Sequence, residues 1–509
     1  MQTDQDIFQD FKTSFSHPLQ IAEIRAGENM GKIGITFCPG KIQHDALSGR
    51  WKRDLKVDIK ALAQWNAAAV LTLLEPHEIE ALQVTDLGEE VRQRQMIWRH
   101  APIQDVSVPS AGFETKWQTL GPELRELLSN GFNVLVHCKG GLGRAGMIAA
   151  RLLVESGWEK QAAILAVRSV RRGAIETREQ EDHVRQFKPD RDAAPDITRL
   201  ARRDRAIGSL LGLAVGDALG TTLEFTARDS YEYLTEMVGG GPFNLDPGKW
   251  TDDSSMALAL ADSLDEWSDL DQADLMGRFY DWFTCGRYSS TGHCFDIGET
   301  TRAALMRWKE NNNPIAGSND PDTAGNGSLM RLSPAAIRFW HDQEKLQDIA
   351  VRQSETTHAA PAALEACRVF ANILGLAISG AGKNEALSAS PATTDQSIEL
   401  IIQGSWRGKP REQIRASGYV VHSLEAAIWS VARTGNFEEA VLLAANLGED
   451  ADTTAAIAGQ LAGALYGVSG IPARWCNLIH DHDDIVRKAE RLFDAAWNER
   501  KHSRYGEQI

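Results

Sequence analysis

Two textures of apolar spacing divide the chain. Up to about residue 187, short apolar runs rich in strand formers, AAAVLTLL at 67–74 and NVLVH at 133–137, alternate with stretches such as 117–130 and 147–156, whose apolar residues recur at helical spacing. This alternation predicts an α/β fold over 1–187. From Ala206 the pattern changes to long Ala/Leu/Gly segments, among them AIGSLLGLAVGDALG, SSMALALADSL, AALEACRVFANILGLAISG and TTAAIAGQLAGALYG. Small residues let helix backbones approach closely and few β-branched runs intervene, which predicts an all-α bundle over 205–505. Between them KPDRDAAPDITRLARRD holds two prolines and many charges, the texture of a linker over 188–204. The polar stretches 311–327 and 386–395 read as loops.

Composition narrows the class. With 43% hydrophobic and 24% charged residues among 509, the chain is neither collagen-like, nor mostly disordered, nor a disulfide scaffold. The net charge of −16 is unevenly spread: residues 1–190 hold 24 Lys+Arg against 25 Asp+Glu, and the rest 30 against 45. An acidic second half argues against binding nucleic acid by neutralising its phosphates. The six cysteines form no CxxC pair, so zinc and redox-dithiol readings lose support. The first residues lack a basic-then-apolar signal pattern and no uncharged apolar run reaches membrane-spanning length, so the expectation is a cytoplasmic protein without membrane or nucleic-acid partners.

Candidate chemistry in the first half centres on VLVHCKGGLGRAG (134–146). A strand, a glycine-rich loop and a helix start succeed one another, an arrangement that turns several backbone N–H groups and the helix's positive end toward one anion. Cys138 at the mouth of that nest, near Arg144, would be held as thiolate, the reactive form. Gly140, Gly141 and Gly143 allow the turns, and the Arg144 fork can hold two phosphate oxygens. The same glycines satisfy GxGxxG, but a helical, basic GWEKQAAILAVRSVRRG follows where a dinucleotide fold needs a second strand ending in an acid. A buried structural Cys138 is the alternative the spacing leaves open.

HCKGGLGR, with the upstream LTLLEPHEIEALQVTDLG and HAPIQDVSVP segments, resembles the cysteine-dependent protein tyrosine and dual-specificity phosphatases, in particular the branch of the cyclin-dependent-kinase-associated phosphatase. The resemblance implies an α/β cysteine-phosphatase fold that needs no cofactor, with Cys138 as nucleophile, Arg144 as phosphate clamp and Asp105 as general acid and then base. It also implies a phosphate-binding loop of His137, Lys139, Gly140, Gly141, Leu142 and Gly143. One departure stands out: Ala145 occupies the place where the family usually carries a Ser or Thr that eases thiolate departure.

In the second half two acidic clusters about 200 residues apart share one design, W-TDDSS at 250–255 and GEDADTT at 448–454, each opening an Ala-rich helix. Helix capping by Thr and Asp explains one oxygen at each start. Each cluster supplies at least three, and crowded carboxylates with hydroxyls suit a hard divalent cation. Asp217 and Glu224 in GDALGTTLEF add further acids.

Together with STGHCFDIGETT, GNGSLMRLSPAA and Thr357-His358, these segments resemble the ADP-ribosylglycohydrolase family, which includes the dinitrogenase-reductase-activating glycohydrolases. The resemblance implies a helical bundle with two Mg²⁺ or Mn²⁺ ions on Thr251, Asp252, Asp253, Asp450, Asp452 and Thr453. Glu224 falls on the catalytic acid, Gly325, Asn326, Gly327, Ser328 and Met330 on the loop at the diphosphate and ribose, Phe295 and Asp296 on the adenosine wall, and His358 on a further substrate position. Glu449 and Ala451 depart from the usual motif, Glu449 bearing on acceptor choice.

The combined expectation is a multidomain, bifunctional hydrolase: a phosphoester is cleaved through a cysteinyl-phosphate, and an ADP-ribosyl bond on a protein or a small ADP-ribose derivative is cleaved with metal assistance. The rival is a single-activity ADP-ribosylglycohydrolase whose phosphatase-like domain binds phosphorylated partners or substrate without efficient turnover.

Overall fold

The computed structural model describes residues 11–46, 48–188, 198–389 and 391–506, with side chains up to residue 500. The chain forms two compact units, Met1–Ala193 and Ala194–Ile509. Most of the expected linker, 189–197, lies outside the described residues. Its last six residues are helical instead. Thr198 Oγ1 accepts from Ala201 N at 3.2 Å and opens a helix at Arg199. The charges that suggested a linker are helix side chains with partners: Arg199 on Asp494, Arg203 on Glu490, and Arg202 on the Ser379 carbonyl.

The first unit is α/β. Five strands, β1 (Ala22–Arg25), β2 (Lys32–Phe37), β3 (Ala67–Thr72), β4 (Ile97–His100) and β5 (Asn133–Cys138), form a sheet in the order β1-β2-β5-β3-β4. Only β1 runs antiparallel to its neighbour. Every residue of β3 is buried, the continuous apolar run expected of a strand covered on both faces. The register aligns Phe37 with Cys138 and Thr72 with His137, so β5 ends mid-sheet at its carboxyl edge, where open α/β sheets place their ligands. Helix α1 (Gly143–Glu155) follows, buried through Val154. A second, three-stranded sheet of Phe11–Lys12, Arg50–Lys52 and Ile42–Gln43 completes the strands.

The second unit is helical. Three helices position its chemistry: α2 (Arg199–Gly220), α3 (Asp252–Glu266) and α4 (Ala451–Tyr466). On α2, glycines recur every fourth residue at 208, 212, 216 and 220, one face of the helix. A methyl group placed on each would stand 2.5, 2.4, 2.1 and 2.3 Å from the carbonyl oxygens of Gly463, Gly459, Ala455 and Ala451. These pairings descend along α4 as they ascend along α2, so the two helices lie antiparallel with backbones in contact. The end of α2 therefore meets the start of α4, and that crossing assembles the acids. We expect Gly216→Ala to force the helices apart and lower the stability of this unit by about 3 kcal/mol, read as a shift of its urea midpoint.

Two helical segments, Arg199–Leu223 and Pro361–Ser379, are long and apolar enough to span a membrane, but 94% and 67% of their most apolar windows are buried within the protein, as in core helices. The loop expected over 386–395 begins as helix instead, Lys383–Ser388, because Ala386 and Leu387 find the core and Lys383 Nζ reaches the Thr434 carbonyl at 2.7 Å.

Candidate active sites

At the end of β5 the chain turns through Lys139, Gly140 and Gly141. Gly141 has φ +69°, and a side chain there would strike the backbone of Thr36 and Phe37 at 2.4–2.5 Å, so only glycine fits. Its N–H donates to Cys138 Sγ at 3.2 Å. The three carbonyls of this turn are held from outside by cations: Lys139 O by Lys41 Nζ at 3.3 Å, Gly140 O and Gly141 O by Arg171 at 3.2 and 3.0 Å. Because a trans peptide points its N–H opposite its carbonyl, the amides of Gly140, Gly141 and Leu142 point away from those cations. Gly143 starts α1 and adds the helix end to the same field.

Arg144 is buried and fully engaged at its two terminal nitrogens. They bind both oxygens of Glu78 at 2.6 and 2.9 Å, and one of them donates to the Ile103 carbonyl at 2.9 Å. Asp105 Oδ1 lies 2.9 Å from the guanidinium while its side chain stays half exposed, so the structure brings the expected acid to the expected clamp. Arg144 Nε is buried with no hydrogen-bond partner among the described residues, a donor left for an anion. His137 sits elsewhere than expected. It is wholly buried beneath the loop with Nε2 2.8 Å from Thr72 Oγ1, and burial drives its pKa down to about 3, so it supports the strand end as a neutral ring and does not face a phosphate. Glu78, Lys41 and Arg171 were not visible as site residues in the sequence. Lys41 is buried over the Phe37 and Trp51 rings at 5.2 and 5.1 Å, and burial lowers its pKa to about 8.

In the second unit the helix starts are capped by other segments. Among the described residues, neither the Thr251 nor the Asp450 side chain caps its own helix by accepting from a backbone N–H. Asp217 on α2 does so for α3: Oδ1 accepts from Thr251 N at 2.8 Å and Oδ2 from Ser254 N at 3.0 Å. Glu224 does so for α4, its Oε2 accepting from Ala451 N at 2.7 Å and Asp452 N at 3.2 Å. Capping from outside releases Asp253, Asp450 and Asp452 for other work.

Those oxygens converge. Asp217, Asp253 and Asp452 offer oxygens within 4.8 Å of one another, as do Glu224, Asp450 and Asp452, so Asp452 belongs to both triads. Thr251 Oγ1 stands 2.9, 3.0 and 3.2 Å from oxygens of Asp217, Asp253 and Asp452, three acceptors around a hydroxyl with one proton. Asp253 Oδ1 is buried without a hydrogen-bond partner among the described residues. An all-oxygen donor set with an orphaned carboxylate oxygen fits a hard divalent cation. In the cation-free protein, burial and then the Asp452 charge raise the pKa of Asp217 and of Asp450 to about 7 and push Glu224 far higher. Asp252 and Asp253 rise for the same first reason.

A cleft of about 370 Å³ brings Glu224, Asp252, Asp296, Asp450, Asp452 and Thr453 together with Gly325, Asn326, Gly327, Met330 and His358 in one lining. Asn326 Nδ2 donates to Asp450 Oδ2 at 2.6 Å, which ties the expected substrate loop to the acid site. A side chain at Gly327 would strike His358 Cε1 at 2.7 Å, so this glycine lets the loop rest on the imidazole. His358 is buried, bonded through Nδ1 to Thr357 Oγ1 at 2.9 Å, and burial holds its pKa near about 3. Two expected substrate residues are not in the lining. Ser328 is interior, bonded to Ser354 Oγ at 2.7 Å, and Phe295 packs on Phe243 with ring centroids 5.3 Å apart. Sequence reasoning noted Asp217 without placing it among the ligands and passed over Phe225, which lines the cleft. Its neighbour Glu224 was the available signal.

Comparison with known proteins bears on both units. Residues 198–502 match the family model described as ADP-ribosylglycohydrolase, and residues 48–158 match that of a polymorphic toxin system DSP-PTPase phosphatase. Over 293 residues, 58% of this chain and 79% of the relative, the sequence is 48% identical to ADP-ribosylarginine hydrolase Tri1 of Pseudomonas putida (strain GB-1). Over 159 residues, 31% of this chain and 71% of the relative, it is 31% identical to cyclin-dependent kinase inhibitor 3 of Rattus norvegicus. A solved structure described as an ADP-ribosylglycohydrolase-related protein complex aligns with 58% of this chain and 99% of its own, at 38% identity and a TM-score of 0.52.

Proposed function

The chain belongs to the ADP-ribosylglycohydrolase family, joined to a phosphatase-like unit, and from that premise we propose that its second unit releases ADP-ribose from the guanidinium of modified arginine with the help of two Mg²⁺ or Mn²⁺ ions. The observation that carries this reading is the pair of oxygen triads sharing Asp452 at the floor of the cleft. Arginine as acceptor rests on the named activity of the 48%-identical relative.

Asp217, Thr251, Asp252, Asp253, Asp450, Asp452 and Thr453 would hold the ions. Bound there, divalent cations supply Lewis-acid polarisation of ribose oxygens and of water. The chain's own contribution is placement. Asn326 fixes Asp450 and the 325–327 loop over the site, and Glu224, anchored on the start of α4, keeps a carboxyl where the acceptor departs. In this proposal that carboxyl carries the proton to the leaving nitrogen.

The reading is tested by incubating the protein with a peptide ADP-ribosylated on arginine and one modified on serine, with Mg²⁺, with Mn²⁺ and with EDTA, and measuring ADP-ribose by mass spectrometry. We expect release from the arginine peptide that EDTA abolishes. Release from the serine peptide alone, or release indifferent to EDTA, overturns it.

For the first unit we propose hydrolysis of a phosphoester. Cys138 Sγ forms the bond to phosphorus as the P–O bond breaks and Asp105 protonates the departing oxygen. Water then forms the new P–O bond, the S–P bond breaks, and Asp105 takes the water's proton. Arg144 Nε, the guanidinium donor left without a partner among the described residues, and the amides of the loop hold the phosphoryl oxygens throughout. A specific observation favours a second reading. Ala145 is wholly buried at the start of α1 and offers no hydroxyl to the departing sulfur, so the unit would hold phosphate and release it slowly.

A further inference from the structure

Phe225 combines two costs that a fold does not keep without a return. Its ring is 70% exposed on the wall of the acid cleft, and its backbone has φ +57°, the left-handed region that bulky side chains avoid. The conformation is enforced from the metal-binding loop: Phe225 N donates to Glu449 O at 2.7 Å, and Glu449, itself at φ +62°, donates from its N to Thr226 O at 2.8 Å. Two left-handed residues are thus stitched together, and the stitch fixes the ring beside Glu224. On its other side the ring meets Phe243 edge-on at 6.3 Å. Apart from that one edge contact, no aromatic partner for the ring is found among the described residues.

Position decides what the ring is for. Phe225 follows Glu224 in the chain and both line the cleft, so on the reading above its ring lies on the side of the bond to be broken, whereas the adenine of an ADP-ribosyl group stands beyond a diphosphate and a second ribose. A face presented at the scissile bond meets the acceptor, not the base. The cleft lining also holds Asp296 and Glu299, acids that the ion set above does not use, which favour a cationic acceptor. The negative face of an aromatic ring attracts a planar guanidinium in particular. We propose that Phe225 is the specificity-determining platform on which the arginine guanidinium of the substrate stacks, an assignment that rests on the arginine reading of the preceding section.

The test compares wild type with Phe225→Leu and Phe225→Trp, using the arginine-ADP-ribosylated peptide, and measures the affinity of each for free ADP-ribose by calorimetry. Leucine keeps apolar bulk and loses the π face, and because the ring is exposed no core packing goes with it. We expect Phe225→Leu to raise KM for the peptide roughly tenfold with kcat within about twofold, Phe225→Trp to restore KM, and ADP-ribose affinity to stay unchanged in all three. Unchanged KM in Phe225→Leu overturns the inference, as does a parallel loss of ADP-ribose affinity, which would give the ring to the nucleotide. A wild-type protein inactive on arginine peptides strikes the arginine reading itself and takes this inference with it.

Discussion

Replacing Cys138 by serine is expected to reduce phosphate release from p-nitrophenyl phosphate by at least about a thousandfold while ADP-ribose release by the second unit stays at the wild-type rate. The contrast follows from the chemistry of the turn. The Gly141 N–H donates to the sulfur, the start of α1 and Arg144 follow directly in the chain, and a hydroxyl in place of that sulfur is a far poorer nucleophile at neutral pH. Apart from the Gly141 N–H bond to the sulfur, the turn is held from outside, by Lys41 and Arg171 on its carbonyls. The serine variant is therefore expected to bind inorganic phosphate or tungstate as tightly as wild type. Phosphate release surviving in Cys138→Ser would remove the cysteine from the mechanism. The same assay separates hydrolysis from phosphate holding. If Ala145 makes the second step slow, wild-type protein quenched early carries a phosphoryl group on Cys138, and Ala145→Ser raises steady-state turnover. A wild-type protein that binds phosphate but never becomes labelled would leave the unit a reader of phosphorylated groups.

What the chain discloses in advance depends on how local the physics is. The loop between β5 and α1 is legible because its requirements are consecutive: strand, cysteine, glycines that accept φ +69° and close backbone contact, arginine, helix. The acidic helix starts are legible for the same reason. Their meaning is not, because capping explains them equally well until the structure shows the caps arriving from Asp217 and Glu224, more than thirty and more than two hundred residues away in sequence. Glu78 is invisible for a like reason. A buried arginine requires a partner, but nothing within EPHEIEA marks which carboxylate that is. His137 was misplaced because adjacency to Cys138 in sequence puts it on the opposite face of the strand, where it meets Thr72. The glycine ladder on α2 is fully present in the sequence, yet its partner face on α4 lies about 250 residues later, and only the crossing shows that both serve to bring acids together.

Asp452→Asn is expected to abolish ADP-ribose release, by at least about a thousandfold, and at the same time to make the cation-free protein more stable at pH 8. The two effects share one cause. Asp452 belongs to both triads, so its loss removes a carboxylate from each. It is also the charge that, after burial, most raises the pKa of Asp217, Asp450 and Glu224. Groups whose pKa is higher in the folded than in the unfolded state bind more protons when folded, so stability falls as pH rises between the two values. For Asp217 and Asp450 that window runs from the ordinary carboxylate range up to about 7. Chelated wild type should accordingly lose stability from pH 4 to pH 7 and change little from these groups above that. A divalent cation reverses the loss where the carboxylates are ionised, raising the melting temperature by roughly 5–10 °C at pH 8 when present at a hundredfold excess over its dissociation constant, and by less at pH 5, where protons compete for the same oxygens. In Asp452→Asn the pH slope should flatten and the cation shift disappear. A variant that keeps the cation shift, or a wild type whose chelated stability rises with pH across that window, would mean that these oxygens do not share a cation site, and the hydrolytic reading would lose its floor.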